Sequence, residues 1–174
     1  MPFARSNFGV TVMGDTVFLT GGWRNLPNTT AFRATPETFE DLPPMTHGRG
    51  AHASAPLNGE VFVVGGVTAD TTEYVPSTTV ESYLPAARTW VTWEPYPIAV
   101  HSPGAVSVGG RLYAMGGVNA NGCSARAFYL EFIGSSPPPG PGLEWILVGV
   151  VLVVGAALVV AVPMWRRKKS PPRS

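Results

Sequence analysis

Three histidines, one cysteine and a handful of arginines carry most of the side-chain chemistry open to this chain. His47, His52 and His101 are the only histidines, and Cys123, in the loop NANGCS, is the only cysteine. A zinc site needs clustered ligands, typically paired histidines with partner cysteines. His47 and His52 lie five apart, but a strand-and-loop context does not turn both rings to one face, and Cys123 stands alone. No metal and no cofactor are therefore expected, and no disulfide can form within the chain. Neither G-x-S-x-G, a Walker loop nor a dinucleotide fingerprint is present. GGVNANG is glycine-rich but opens no helix, which leaves phosphate binding unsupported. These residues point away from catalysis and towards recognition. Arg5 and Arg49 offer planar donor arrays, and Tyr74, in the acidic stretch VTADTTEYVPS (67–77), offers an aromatic anchor or marks a solvated loop. Asn28 opens an N-T-T acceptor pattern for glycosylation.

The elements that position these residues repeat. DTVFLTGGW (15–23), GEVFVVGGV (59–67) and GRLYAMGGV (110–118) each run an apolar stretch into a glycine pair: Gly21-Gly22, Gly65-Gly66 and Gly116-Gly117. Each pair has an aromatic three residues before it (Phe18, Phe62, Tyr113) and a turn dipeptide seven before it (Gly14-Asp15, Asn58-Gly59, Gly109-Gly110). Such dipeptides favour two-residue hairpins. Further on, Phe32 and Tyr83 are each followed seven residues later by Phe39 and Trp90, and the Phe39-to-Gly65 and Trp90-to-Gly116 intervals are equal. The second and third doublets stand seven residues further apart than the first and second. That difference falls wholly between a doublet and the next aromatic strand, as in a packed scaffold with one tolerant loop. Arg5 and Arg49 hold the same place ahead of Gly21 and Gly65; at that position the third unit has Val100, with His101 beside it.

This pattern resembles the kelch repeat over about residues 5 to 132. The resemblance implies an all-β fold: about three kelch-type blades of an incomplete β-propeller, each blade four-stranded. It also implies a protein- or ligand-binding role, with Arg5, Arg49 and His101 as partner-contact candidates; the alternative is that the arginines hydrogen-bond neighbouring blades together. A galactose-oxidase-like propeller enzyme is the catalytic alternative, but its Tyr, His and Cys set finds no match here. After ARAFYLEF (125–132) no Trp-type strand is expected, so the third blade should lack its outer strand.

The domain reading is a partial propeller over 1–132, a Pro/Gly/Ser-rich stalk over 133–142, a membrane helix over 143–165 and a basic tail over 166–174. The core of that helix, Ile146 to Trp165, is 20 residues without a charge, about what crosses a bilayer. Residues 1–142 hold seven Arg and ten acidic residues, whereas RRKKSPPRS holds five basic residues and no acid. A basic flank beside a membrane helix reads as cytoplasmic. The expectation is a single-pass protein with the propeller extracellular or luminal; the rival is a tail-anchored adaptor with the propeller in the cytosol. A nucleic-acid partner is not expected, because the basic excess is the membrane flank. Too few blades and no secretory signal together suggest the C-terminal part of a longer protein. Self-association of a half-ring is the other way to close it.

Overall fold

A computed structural model describes residues 4–24, 26–68, 75–131 and 145–147. Three antiparallel four-stranded sheets stand side by side. Blade 1 contains β1 (Gly9–Met13), β2 (Thr16–Thr20), β3 (Thr29–Arg33) and β4 (Thr38–Leu42). Blade 2 contains β5 (Ala53–Leu57), β6 (Glu60–Val64), β7 (Val80–Leu84) and β8 (Thr89–Thr92). Blade 3 runs β9 (Gly104–Val108), β10 (Arg111–Met115), β13 (Ala127–Glu131) and β14 (Trp145–Leu147), with a small hairpin of β11 (Val118–Asn119) and β12 (Gly122–Cys123) between β10 and β13. The turn dipeptides close the β1–β2, β5–β6 and β9–β10 hairpins, with positive φ at Gly14, Asn58, Gly59, Gly109 and Gly110.

The fourth strand of blade 3 corrects the expectation that it would be missing. Trp145 pairs with Leu130, just as Phe39 pairs with Phe32 and Trp90 with Tyr83. The Trp position is thus filled, but at about twice the sequence separation from its partner that the first two blades use. The Pro-rich stretch between them cannot be a central strand and hid the continuation. The same strand occupies the first part of the expected 143–165 helix. The rest of that span, the stalk and the tail lie outside the described residues. Among the described residues no helix is long and apolar enough to cross a membrane.

The blades pack through their faces. Between blades 1 and 2 lie Phe18, Ala31, Val61 and Tyr83. Between blades 2 and 3 lie twelve buried residues, among them Phe62, Val64, Trp93, Tyr96, Leu112 and Leu130. Burying one such large side chain is worth about 1.5–3 kcal/mol, so the joints between blades are the core. Aromatic donors also tie connections to strands: Trp90 Nε1 donates to the Pro43 carbonyl across the blade 1–2 joint (2.9 Å), and Tyr96 OH donates to the Ala114 carbonyl of blade 3 (3.1 Å).

The glycine pairs set how closely successive units approach. Gly21 and Gly65 sit at φ of 62° and 66°. A Cβ on Gly21 would stand 2.3 Å from the Arg49 carbonyl oxygen, and one on Gly65 would stand 2.6 Å from that of Val100. The neighbouring glycines use the same carbonyls, Gly22 N–H donating to Arg49 O and Gly66 N–H to Val100 O, both at 2.9 Å. A second backbone series runs alongside. Ala51 N–H donates to Asn7 O (2.8 Å), and Ser102 N–H donates to Ala51 O (2.6 Å). Asn7, Ala51 and Ser102 hold the same place ahead of their doublets and share left-handed φ values of 54°, 51° and 53°, a conformation that costs a non-glycine residue about 1–2 kcal/mol.

Gly21→Ala and Gly14→Ala separate backbone strain from close approach. Gly14 is also left-handed (φ 60°), but nothing lies within 4 Å of its Cβ position. Chemical denaturation should show Gly14→Ala costing about 1 kcal/mol and Gly21→Ala at least twice that; equal losses would mean the doublet is not held by contact with the next unit.

Candidate partner-binding rim

Alternation of strand direction gives the array two rims. One carries the tight β1–β2, β5–β6 and β9–β10 turns, the four-residue β3–β4 and β7–β8 turns, and the end of blade 3 from which the chain leaves β13 for β14. The other carries the connections of unequal length, 21–28, 65–79 and 116–126, together with the segments leading into each blade. Arg5, Arg49, His101, Asn28 and Cys123 belong to this second rim.

Arg49 lies in the segment leading into blade 2 and points inward. It is fully buried, forms an ion pair with the equally buried Glu81 (2.5 Å), and donates from Nη1 to the carbonyls of Gly65 (3.1 Å) and Thr79 (2.9 Å). Desolvation by this burial lowers its pKa, while Glu81 opposes that fall. Glu81 also accepts from Thr46 N–H (3.1 Å) and lies 3.5 Å from His47 Nδ1. The carboxylate therefore pins the incoming loop to the strands it crosses. Arg5 repeats the arrangement in a weaker form: half-buried, it donates from Nη2 to Thr30 Oγ1 (2.8 Å). Strand register makes Thr30, Glu81 and Phe128 equivalent. In the third unit the pair becomes Val100 and Phe128, both in the apolar core. The side-chain bonds of Arg49 run to Gly65, Thr79 and Glu81 of blade 2 and those of Arg5 to Leu19 and Thr30 of blade 1, so each ties its incoming segment to its own blade, whereas the second role open to them had them joining neighbouring blades.

His52 follows on the same segment and faces blade 1, its Nε2 2.9 Å from Thr20 Oγ1. Burial first and the Arg49 charge second push its pKa down to about 3, so it is a neutral joint residue. His101 is half-buried; its backbone bridges Val118 and its Nδ1 lies 3.2 Å from Ser102 Oγ. Asn28 is exposed just before β3, with its carbonyl accepting from Gly21 N–H. Tyr74 lies outside the described residues. Phe39 and Trp90 pack at a tilt against Phe32 and Tyr83, with ring centroids 4.8 and 5.4 Å apart. Among the described residues no three His, Cys, Asp or Glu side chains gather as metal ligands.

One exposed residue on this rim has no place among the sequence-derived candidates. Trp23 is 48 % exposed directly after the first doublet. Its counterparts, Val67 and Val118, are smaller. A Trp where the other repeats carry Val was the signal available. On the opposite rim a cavity of 320 Å³ opens between blades 1 and 2, with Phe18, Leu42 and Tyr83 inside and Arg33, Glu40 and Arg88 at the lip. Glu40 accepts from Arg88 (2.7 Å), and that bond holds its pKa below the usual carboxylate value. The lip charges are thus matched to one another.

Two measurements probe the Arg49 joint. Arg49→Met strands Glu81 as a buried charge and should cost about 3–5 kcal/mol. The double variant Arg49→Met/Glu81→Met, which imitates Val100–Phe128, should recover much of that loss in a double-mutant cycle; simple additivity would show the pair is not coupled. Acidification tests His52. Between pH 6.5 and about 3 the unfolded chain protonates this histidine and the folded chain does not. Its contribution is therefore complete above pH 6.5 and is lost as pH falls, by up to about 1.4 kcal/mol per pH unit. Urea midpoints at pH 7 and pH 5 should differ less for His52→Gln than for the native chain.

Residues 48–92 match the family model described as Kelch motif. Kelch-like protein 35 of Homo sapiens is 31 % identical over 120 residues, covering 69 % of this chain and 20 % of that protein. Kelch-like protein terF of Aspergillus terreus is 32 % identical over 103 residues, covering 59 % and 20 %. Beta-scruin of Limulus polyphemus is 27 % identical over 130 residues, covering 69 % and 14 %. The chain thus spans a fifth or less of the length of these curated relatives. The solved structure of YjhT superposes with a TM-score of 0.69 at 17 % identity, covering 86 % of this chain and 52 % of that one. Repeat spacing, blade topology and these matches agree, and the repeat-bearing part of the chain belongs to the kelch-repeat β-propeller family.

Proposed function

We propose that this chain is a protein-binding module whose long-loop rim takes a protein partner, and that its C-terminal segment holds it at a membrane. The observation carrying the binding reading is the contrast between the rims. In blades 1 and 2 the first is built of short turns, while the other gathers connections of unequal length and the exposed Trp23, whose backbone N–H donates to Ser6 O (2.7 Å). A rigid support with variable loops suits recognition, and exposed Trp is enriched among residues that dominate binding energy. Arg5 and Arg49 serve this surface as positioning residues, and His101 lies along it; we propose Tyr74 of the VTADTTEYVPS segment as a further contact on the strength of the sequence. The role is binding, not catalysis.

The membrane reading rests on sequence. After β14 takes Trp145–Leu147, residues 148–165 still form 18 uncharged residues followed by Arg166-Arg167-Lys168-Lys169, within the length that spans a bilayer. That basic flank favours a luminal or extracellular propeller; the tail-anchored orientation is the alternative.

Photocrosslinking in cells tests both parts. A crosslinking residue at position 28, on the loop rim, should capture a discrete protein, whereas one at position 37, on the turn rim, should not. Trp23→Ala should reduce the adduct at least about tenfold. Adducts from position 37 alone would place recognition on the other rim. In the same cells the native chain should stay in the membrane pellet after alkaline extraction and lose a glycan on endoglycosidase treatment. An unglycosylated, protease-accessible propeller would reverse the orientation, and release by alkali would remove the anchor.

A further inference from the structure

Each blade covers one face of its inner hairpin with the blade that follows. Counting back from the doublets, Met115 of blade 3 corresponds to Thr20 and Val64, Val106 to Thr11 and Ala55, and Val108 to Met13 and Leu57. Val64, Ala55 and Leu57 are 0 %, 3 % and 4 % exposed, covered by blade 3. Met115, Val106 and Val108 are 41 %, 49 % and 62 % exposed. The spacing at the doublet agrees. Where Gly21 and Gly65 press on the carbonyl of the following unit, the nearest atom to a Cβ on Gly116 is 3.8 Å away. The opposite end of the array mirrors this. Val10 and Val12 of blade 1 are 50 % and 58 % exposed, whereas Ser54, the counterpart of Val10, is half-buried against Gly9 of the preceding blade. Among the described residues the backbone series through Asn7, Ala51 and Ser102 likewise stops at the Asn7 N–H on one side and the Ser102 carbonyl on the other.

We infer that blade 3 of one copy docks on blade 1 of a second copy, so that two copies close head to tail into one ring. The Asn7 N–H of each then donates to the Ser102 carbonyl of the other, continuing the series found inside each chain. The partner is a second copy because the open face has the shape and hydrogen-bond polarity that blade 1 of this same chain completes. A second copy adds three blades to these three, a total within the four-to-eight range of closed propellers. Such a contact is heterologous, joining different surfaces, and stays finite only if the rotation closes. The inference stands apart from the partner and membrane readings.

The test uses the full chain in detergent with Cys123→Ser and two new cysteines, Met115→Cys and Phe8→Cys. In the first repeat Phe8 holds the place of His52, and Thr20 and His52 meet at 2.9 Å across the blade 1–2 joint, so positions 115 and 8 should meet across the new seam. Oxidation should yield a covalent pair of chains, while neither single-cysteine variant should do so. Sedimentation should give two chains per particle. Val106→Glu, a change at a residue exposed within one copy, should weaken the pairing at least about tenfold with an unchanged circular dichroism spectrum. A single chain at about 10 µM with no cross-link would overturn the inference, leaving the face to other residues of this chain or to further blades of a longer polypeptide. A pair that survives Val106→Glu and does not cross-link would also overturn it, assigning association to the apolar C-terminal run.

Discussion

The array depends on one close approach: a carbonyl of each incoming segment set against the glycine doublet of the unit before it. At Gly21 and Gly65 there is no room for a Cβ between the strand end and the Arg49 or Val100 oxygen. Because the second glycine of each pair donates to the same carbonyl, the contact fixes distance and direction together. Blade spacing, the apolar cores between blades and the course of the rim segments all follow from it. Glycine in a strand weakens that strand locally; here the loss is offset by backbone hydrogen bonds and by the faces the approach allows to pack.

Around that contact the repeats solve one problem with different chemistry. The residue leading into a blade must be anchored to the second and third strands. Blade 2 does so with the buried Arg49–Glu81 pair, blade 1 with Arg5 and Thr30, and blade 3 with Val100 and Phe128 in one apolar core. A buried ion pair gains little over an apolar contact of the same shape, but removing one member is costly. The apolar version in blade 3 shows that the fold does not require charge at this point. The charged version in blade 2 additionally fixes the loop through Thr46 and His47, which the apolar version has no means to do.

This division separates framework from surface. On the turn rim the β1–β2, β5–β6 and β9–β10 hairpins turn in two residues, a geometry that leaves little freedom. The loop rim absorbs the seven-residue difference between the first and second repeats without moving any strand, since the strands on either side of it are held by the doublet and by Glu81. Trp23 is exposed on that rim directly after the doublet, its backbone N–H held by Ser6 O. An exposed aromatic on a rigid base loses little conformational freedom on binding.

Much of the blade architecture was legible in the chain, because hairpin turns, apolar alternation and doublets are local signals at a fixed period. The three sheets, the turn dipeptides and the pairing of Phe32 with Phe39 and Tyr83 with Trp90 all follow from residues close in sequence. Three matters were decided only by tertiary structure. Trp145 joins blade 3 across a Pro-rich interruption, because the open edge of β13 selects any β-prone segment within reach, whatever the spacing. The side chain of Arg49 points inward because its partner, Glu81, comes from the third strand after it, at a separation no local pattern reports. The exposure of Val106, Val108 and Met115 became visible only through the burial of their counterparts, since an apolar residue in a strand reads the same whether or not another blade covers it.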